Sequence, residues 1–212
     1  MQCSKCKGEA VLFQPYSGQH LCQDHLTLDI ETKAKRTIRQ NKWMRPGDHI
    51  GVALTGTAAD NALFLFFRNL TGKRRDIRVT GIRWAGDISE VVVAARKIGI
   101  TRIALSTTLE TTSAVLLADI LMGDLGKCTG DHPALPDTAV LISPFCHIPA
   151  EEVAAYARIH GIEGGISDPP QEEEPLVTDV QSLLAAYTRH HPAAPHAILN
   201  LCETLRSAVR HD

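Results

Sequence analysis

The run His49-Ile50-Gly51-Val52-Ala53-Leu54, the small-residue turn Thr55-Gly56-Thr57-Ala58 and an Ala-, Leu- and Phe-rich stretch up to Leu70 most narrow what this chain can become. A short apolar run with β-branched residues reads as a buried strand, and the stretch after the turn reads as a helix. Strand, tight turn and helix in that order direct backbone N–H groups and a helix N-terminus at one spot, which suits an anion such as phosphate. An ordinary βα loop uses the same pattern, so the phosphate reading needs support from the rest of the chain.

That support begins with repetition of the unit. Asp76 to Ile82 reads as a second strand and Ile88 to Ile98 as a helix stopped by Gly99. Arg102 to Ser106 is a third strand, Glu110 to Met122 an apolar helix and Thr138 to Ile142 a fourth strand. Pro149 then opens a helix through His160, with Glu151 and Glu152 at the positive end of its dipole. Strands alternating with helices predict a three-layer α/β fold with a parallel sheet. Ligands of such sheets bind at the carboxyl ends of the strands, where Thr55, Ser106 and Ser143 fall.

Ahead of this domain lie Cys3-x2-Cys6 and, fifteen residues on, Cys22-x2-His25. Each pair sets two ligands on one turn, and the two pairs together make a tetrahedral set for structural Zn2+ with no open position. Free-cysteine turns are the alternative. A segment this short has little core of its own to hold it without a metal. Residues 1–26 are thus expected to form a zinc knuckle, 27–47 a basic linker helix, 48–166 the α/β domain, and 167–212 an acidic linker with two C-terminal helices. The linker is the Pro- and Glu-rich run from Asp168 to Pro175, and the helices are Thr178 to His190 and His196 to Val209. His190, His191 and His196 read as surface histidines around a Pro-rich turn.

Lys33, Lys35, Arg36, Arg39, Lys42 and Arg45 make the linker helix locally basic although the chain carries a net charge of −2. Such a helix beside a knuckle can hold an RNA backbone, or can be a solvated face. Overall charge demands neither nucleic acid nor a membrane surface, and no run approaches the roughly 20 apolar residues of a membrane span. The N-terminus lacks the apolar core of a signal peptide, so a cytoplasmic location is expected, with cysteines as thiols or metal ligands. The run Leu63-Phe64-Leu65-Phe66-Phe67 reads as core, with a homodimer surface as the alternative.

Knuckle, basic helix, Val-Ala-Leu-Thr-Gly strand and loop, a helix ending Leu121-Met122-Gly123-Asp124, and the run from Ile142 through Pro149 to Ala157 follow one another in a familiar order. The chain resembles the PP-loop ATP-pyrophosphatase superfamily, in particular TtuA/TtcA-type tRNA thiolation enzymes. The resemblance implies the adenine nucleotide α-hydrolase-like fold. It also implies a chemistry: ATP with Mg2+ adenylates a carbonyl oxygen of a tRNA base, pyrophosphate leaves, and a sulfur nucleophile displaces AMP. It implies tRNA as partner, and a sulfur-carrier or catalytic partner protein.

The family loop has the form Ser-Gly-Gly-x-Asp-Ser. Without gaps, its Ser-Gly-Gly falls on Thr55-Gly56-Thr57 and its Asp-Ser on Ala59-Asp60. Nucleotide and metal would therefore be left to Thr55, Gly56, Thr57, Asp60, Asn61, Ser106 and Glu110. No residue is singled out as catalytic. Cysteines that hold an iron–sulfur cluster in such enzymes are missing at the family's positions, and Cys128, Cys146 and Cys202 are dispersed, so a cluster is unexpected. The resemblance predicts a divergent tRNA 2-thiolation-type protein that binds ATP and tRNA with weak or absent catalysis. The alternative is a non-catalytic, zinc-containing subunit that binds tRNA or a partner; a nucleotide-binding domain of unrelated biology is a third reading.

Overall fold

Four parallel strands in the order β4-β3-β5-β6 make the central sheet: β3 (His49–Leu54), β4 (Arg78–Arg83), β5 (Arg102–Ala104) and β6 (Val140–Ile142). In this computed structural model the described residues are 1–83, 88–124, 139–164 and 175–209. The expected strand start at Thr138, the linker 168–174 and Cys128 lie outside them.

Strand alternation builds the layers. Ile50 and Val52 of β3 enter one core with α1 (Gln23–Gln40), α2 (Ala58–Thr71) and α5 (Ala150–Ile159). Ala53 enters the other core, with Ile82, Ile103 and residues Val91 and Ala95 of α3 (Ile88–Lys97). Helices on both faces of a parallel sheet give the expected three-layer α/β fold. At Gly51 the backbone lies close under two side chains: a Cβ there would lie 2.5 Å from Ile82 Cδ1 and 2.6 Å from Ile100 Cδ1, so those tips would have to move. Gly99, at φ +69°, ends α3 as expected.

The hairpin of β1 (Leu12–Gln14) and β2 (Gln19–Leu21) precedes α1, and its Leu12 and Leu21 join the same core as Ile50 and Phe66. Along α1 the buried residues Leu26, Ile30, Ala34, Thr37 and Ile38 repeat every three or four positions and face α5. The helix begins earlier than the hydrophobic pattern suggests, with Cys22 at its N-cap. Leu63, Phe66 and Phe67 of α2 are fully buried, so the Phe-rich run contributes to the core. Helix α4 (Leu109–Leu121) carries on its surface the last two helices, α6 (Pro175–Thr188) and α7 (Ala194–Val209). Ala114 and Ala118 meet Val180 and Leu184 there, and Leu116 meets Leu199 and Cys202. No described helix is long and apolar enough to cross a membrane.

Candidate functional site

The four predicted ligands converge. Ligand atoms of Cys3, Cys6, Cys22 and His25 all lie within 4.8 Å of one another. Cys6 Sγ is 3.7 Å from Cys22 Sγ, close to the roughly 3.8 Å that two thiolates on one tetrahedral Zn2+ require. His25 Nδ1 stands 3.2 Å from Cys22 Sγ and 3.6 Å from Cys3 Sγ. Helix α1 explains half of the set, since its N-cap and first turn carry Cys22 and His25. The turn 3–8 explains the other half: Lys5 N–H donates to Cys3 Sγ at 3.5 Å and Gly8 N–H to Cys6 Sγ at 3.4 Å. Burial raises the Cys3 thiol, but N–H donors from Lys5, Cys22 and Cys6 outweigh it and leave it lowered to about 6. The set fits a zinc knuckle, and thiolate-rich donors of this kind also suit iron.

A buried polar network ties the knuckle to the α/β domain, and no sequence spacing reveals it. Glu152 on α5, only 2 % exposed, accepts from Gln14 Nε2 at 3.1 Å, Tyr16 Oη at 2.5 Å and Lys33 Nζ at 3.0 Å. Lys33 Nζ also donates to Tyr16 Oη and pairs with Asp29. The ring of His196, on α7, lies 4.5 Å from that of Tyr16. The expectation of a surface histidine fails for His196, because α7 folds back onto the hairpin and half-buries the ring, with Nε2 lacking a partner.

The loop after β3 sits at the switch point of the sheet, between the carboxyl ends of β3 and β5. Thr57 is the N-cap of α2 and forms a capping box with Asp60. Gly56, at φ +100°, takes the left-handed turn, and a Cβ there would meet nothing within 4 Å. Thr55, Thr57, Asp60 and Ser106 come together: Asp60 Oδ2 accepts from Thr55 N at 2.7 Å, Thr55 Oγ1 at 2.6 Å and Thr57 N at 3.3 Å, and Oδ1 from Ser106 Oγ at 2.6 Å. Asn61 turns its amide back to the Thr57 carbonyl at 3.1 Å. Glu110 is used elsewhere, its carboxylate accepting from Ala150 N at 2.9 Å at the start of α5.

The basic face of α1 is divided. Lys33 belongs to the buried network and Lys35 pairs with Glu31 at 2.6 Å. Arg36, Arg39 and Lys42 are exposed and, among the described residues, unpaired. Lys35, Arg39 and Lys42 rim a groove of about 310 Å³ floored by Ile38, Met44 and Leu70. Cys146 and Cys202 are buried and line a second cavity, of about 40 Å³, with His147 and Glu203. Burial pushes the Cys146 thiol up to about 12.

Sheet, switch-point loop and N-terminal ligand cluster together define a three-layer α/β protein preceded by a four-residue set able to hold a metal. Residues 2–27 match the family described as 2-thiouridine synthetase TtuA, N-terminal LIM domain. The chain is 21 % identical to the tRNA 2-thiolation protein NcsA of Haloferax volcanii, across 94 % of this chain and 85 % of that protein. It is 32 % identical to cytoplasmic tRNA 2-thiolation protein 1 of Anopheles gambiae over 71 residues, 34 % of this chain and 20 % of that one. In structure it matches the U34-tRNA thiolase NcsA of Methanococcus maripaludis with a TM-score of 0.79 and 13 % identity, over 98 % of this chain and 87 % of the other. The expected resemblance to TtuA-type tRNA thiolation proteins is thereby shown, and it extends to NcsA.

One expectation is overturned. The dispersion of the cysteines makes an iron–sulfur cluster unexpected in this chain, yet the NcsA structure of the same fold is that protein with its 4Fe-4S cluster. Dispersion in sequence is a poor guide in a parallel α/β fold, where loops distant along the chain meet at one end of the sheet; Cys146 and Cys202 lining one cavity illustrate it.

Proposed function

We propose that the chain serves tRNA 2-thiolation as a divergent PP-loop protein that binds tRNA, with its own adenylating step lost. Its relatives act in tRNA thiolation by name, and its fold is theirs. The observation that carries the tRNA reading is the exposed, unpaired set Arg36, Arg39 and Lys42 beside an apolar-floored groove, on a chain of net charge −2. Concentrating cations on the last turns of α1 and just past its end gives a footprint for an RNA backbone without a basic protein overall. Loss of adenylation is read from the loop: Thr57, Ala58 and Ala59 stand where the family loop has Gly, a variable residue and Asp. Losing one group that stabilises transition-state charge costs about 10²–10³ in rate, and here more than one is gone. Cys3, Cys6, Cys22 and His25 hold a structural metal ion, for which tetrahedral Zn2+ fits, and a cytoplasmic location goes with this role.

Binding of unmodified tRNA at low and moderate salt tests the reading. We expect a chain with Arg36→Gln, Arg39→Gln and Lys42→Gln to bind at least about tenfold more weakly at 0.1 M salt, with a log–log salt slope shallower by about two to three. Unchanged affinity and slope would remove α1 from the tRNA surface. ATP-dependent release of pyrophosphate on adding tRNA would instead favour an active adenylating enzyme.

A further inference from the structure

A loop built to receive phosphate leaves its donors unspent until the ligand arrives. Here four of them, the N–H groups of Thr55 and Thr57 and the hydroxyls of Thr55 and Ser106, are already spent, and on a carboxylate. An ordinary capping box asks of its acidic residue only the N–H of the N-cap. Asp60 accepts that bond from Thr57 and three more: the N–H and hydroxyl of Thr55, which precede the helix, and the hydroxyl of Ser106, from the loop after β5. The carboxylate is 1 % exposed and no cation pairs with it among the described residues. Four donors are what a buried carboxylate without a counter-ion needs. A second observation comes from another part of the chain. Gly164 approaches the first residue of α2 so closely that a Cβ on it would lie 3.2 Å from Ala58 N.

We propose that the Asp60 side chain is an intramolecular anion occupying the donor set of the switch-point loop, and that it decides what the loop accepts. While it is charged and seated, the loop excludes inorganic pyrophosphate and the pyrophosphate portion of a nucleotide. A ligand phosphate would have to displace the carboxylate and then sit against it as a like charge. In the gap-free register this is the position of the family loop's second serine, so a hydroxyl that can donate to phosphate is exchanged for a group that can only repel it. The proposal rests on reading residues 55–60 as a degenerate pyrophosphate loop, and it locates the degeneracy in one residue.

Calorimetric titration of the full chain with inorganic pyrophosphate, and with Mg-ATP, tests it on wild type, Asp60→Asn, Asp60→Ser and Ser106→Ala, each checked for a cooperative thermal transition. Wild type and Ser106→Ala keep the charge and are expected not to bind at millimolar ligand. The neutral variants are expected to bind pyrophosphate on the order of a hundredfold more tightly than wild type, the effect of removing one like charge at contact distance. Asp60→Ser carries the test if Asp60→Asn does not fold. Wild type binding as tightly as the neutral variants overturns the proposal, as does a folded neutral variant that binds no better than wild type. Measuring tRNA affinity on the same samples separates the two ideas. Failure of wild type to bind tRNA counts against the proposed function and leaves the pyrophosphate result to judge Asp60.

Discussion

Glu152 brings together a donor from the hairpin, a phenol and a lysine around a carboxylate that burial alone would push toward its neutral form. Lys33 and Tyr16 oppose that push, and the Tyr16 hydroxyl donates its proton to Glu152. Glu152→Ala removes the common acceptor and leaves the Tyr16 hydroxyl facing a void, while Gln14 and Lys33 keep Asp29. The expected loss is about 1–3 kcal/mol in denaturant unfolding, the usual cost of stranding buried polar groups. Asp60 shows how far a single residue could be read from sequence. The signature Thr57-x-x-Asp60 before an apolar helix has the form of a capping box and was legible as such, although the expectation set out above gave both residues to nucleotide and metal. That the same carboxylate also takes Ser106 was not, because that partner comes from another strand's end.

The decisive element is α1, which serves three surfaces at once. Its first turn supplies Cys22 and His25, one flank is buried against α5, and the remaining flank carries Arg36 and Arg39. Metal loading and helix placement are therefore coupled. Cys22→Ser is expected to abolish stoichiometric metal and lower the melting temperature by several degrees, as loss of a structural metal does in a small module. Retained metal with an unchanged melt would detach the cluster from α1. Metal analysis of the wild type distinguishes zinc from iron in the same experiment. At this scale the sequence was informative wherever hydrophobic period decided the outcome, as in the β3–α2 unit and the stop at Gly99. It misplaced the start of α1 because Cys22 at the N-cap makes no side-chain cap hydrogen bond, so no capping signature marks the first turn.

Across the whole molecule, the last helix returns to the first hairpin. His196 packs against Tyr16 with the two rings tilted by 57°, and burial, with Lys33 and His147 nearby, lowers its pKa from 6.5 to about 4. Between those values the unfolded chain binds a proton that the folded chain refuses, so stability falls as pH drops from about 6.5 toward 4. Thermal melts of His196→Gln are expected to decline less steeply than wild type across that window. Equal slopes would mean the ring is not buried on Tyr16 in solution. Such closure of chain end upon chain beginning could not be read in advance, since hydrophobic period tells which face of a helix is buried but not what buries it. For the tRNA binding proposed above, the consequence is preorganisation. With the hairpin held by Glu152 and His196, the knuckle and basic helix meet their ligand as a surface already ordered. Association then carries no folding penalty, and its heat-capacity change should match the area covered, without the excess that accompanies folding on binding.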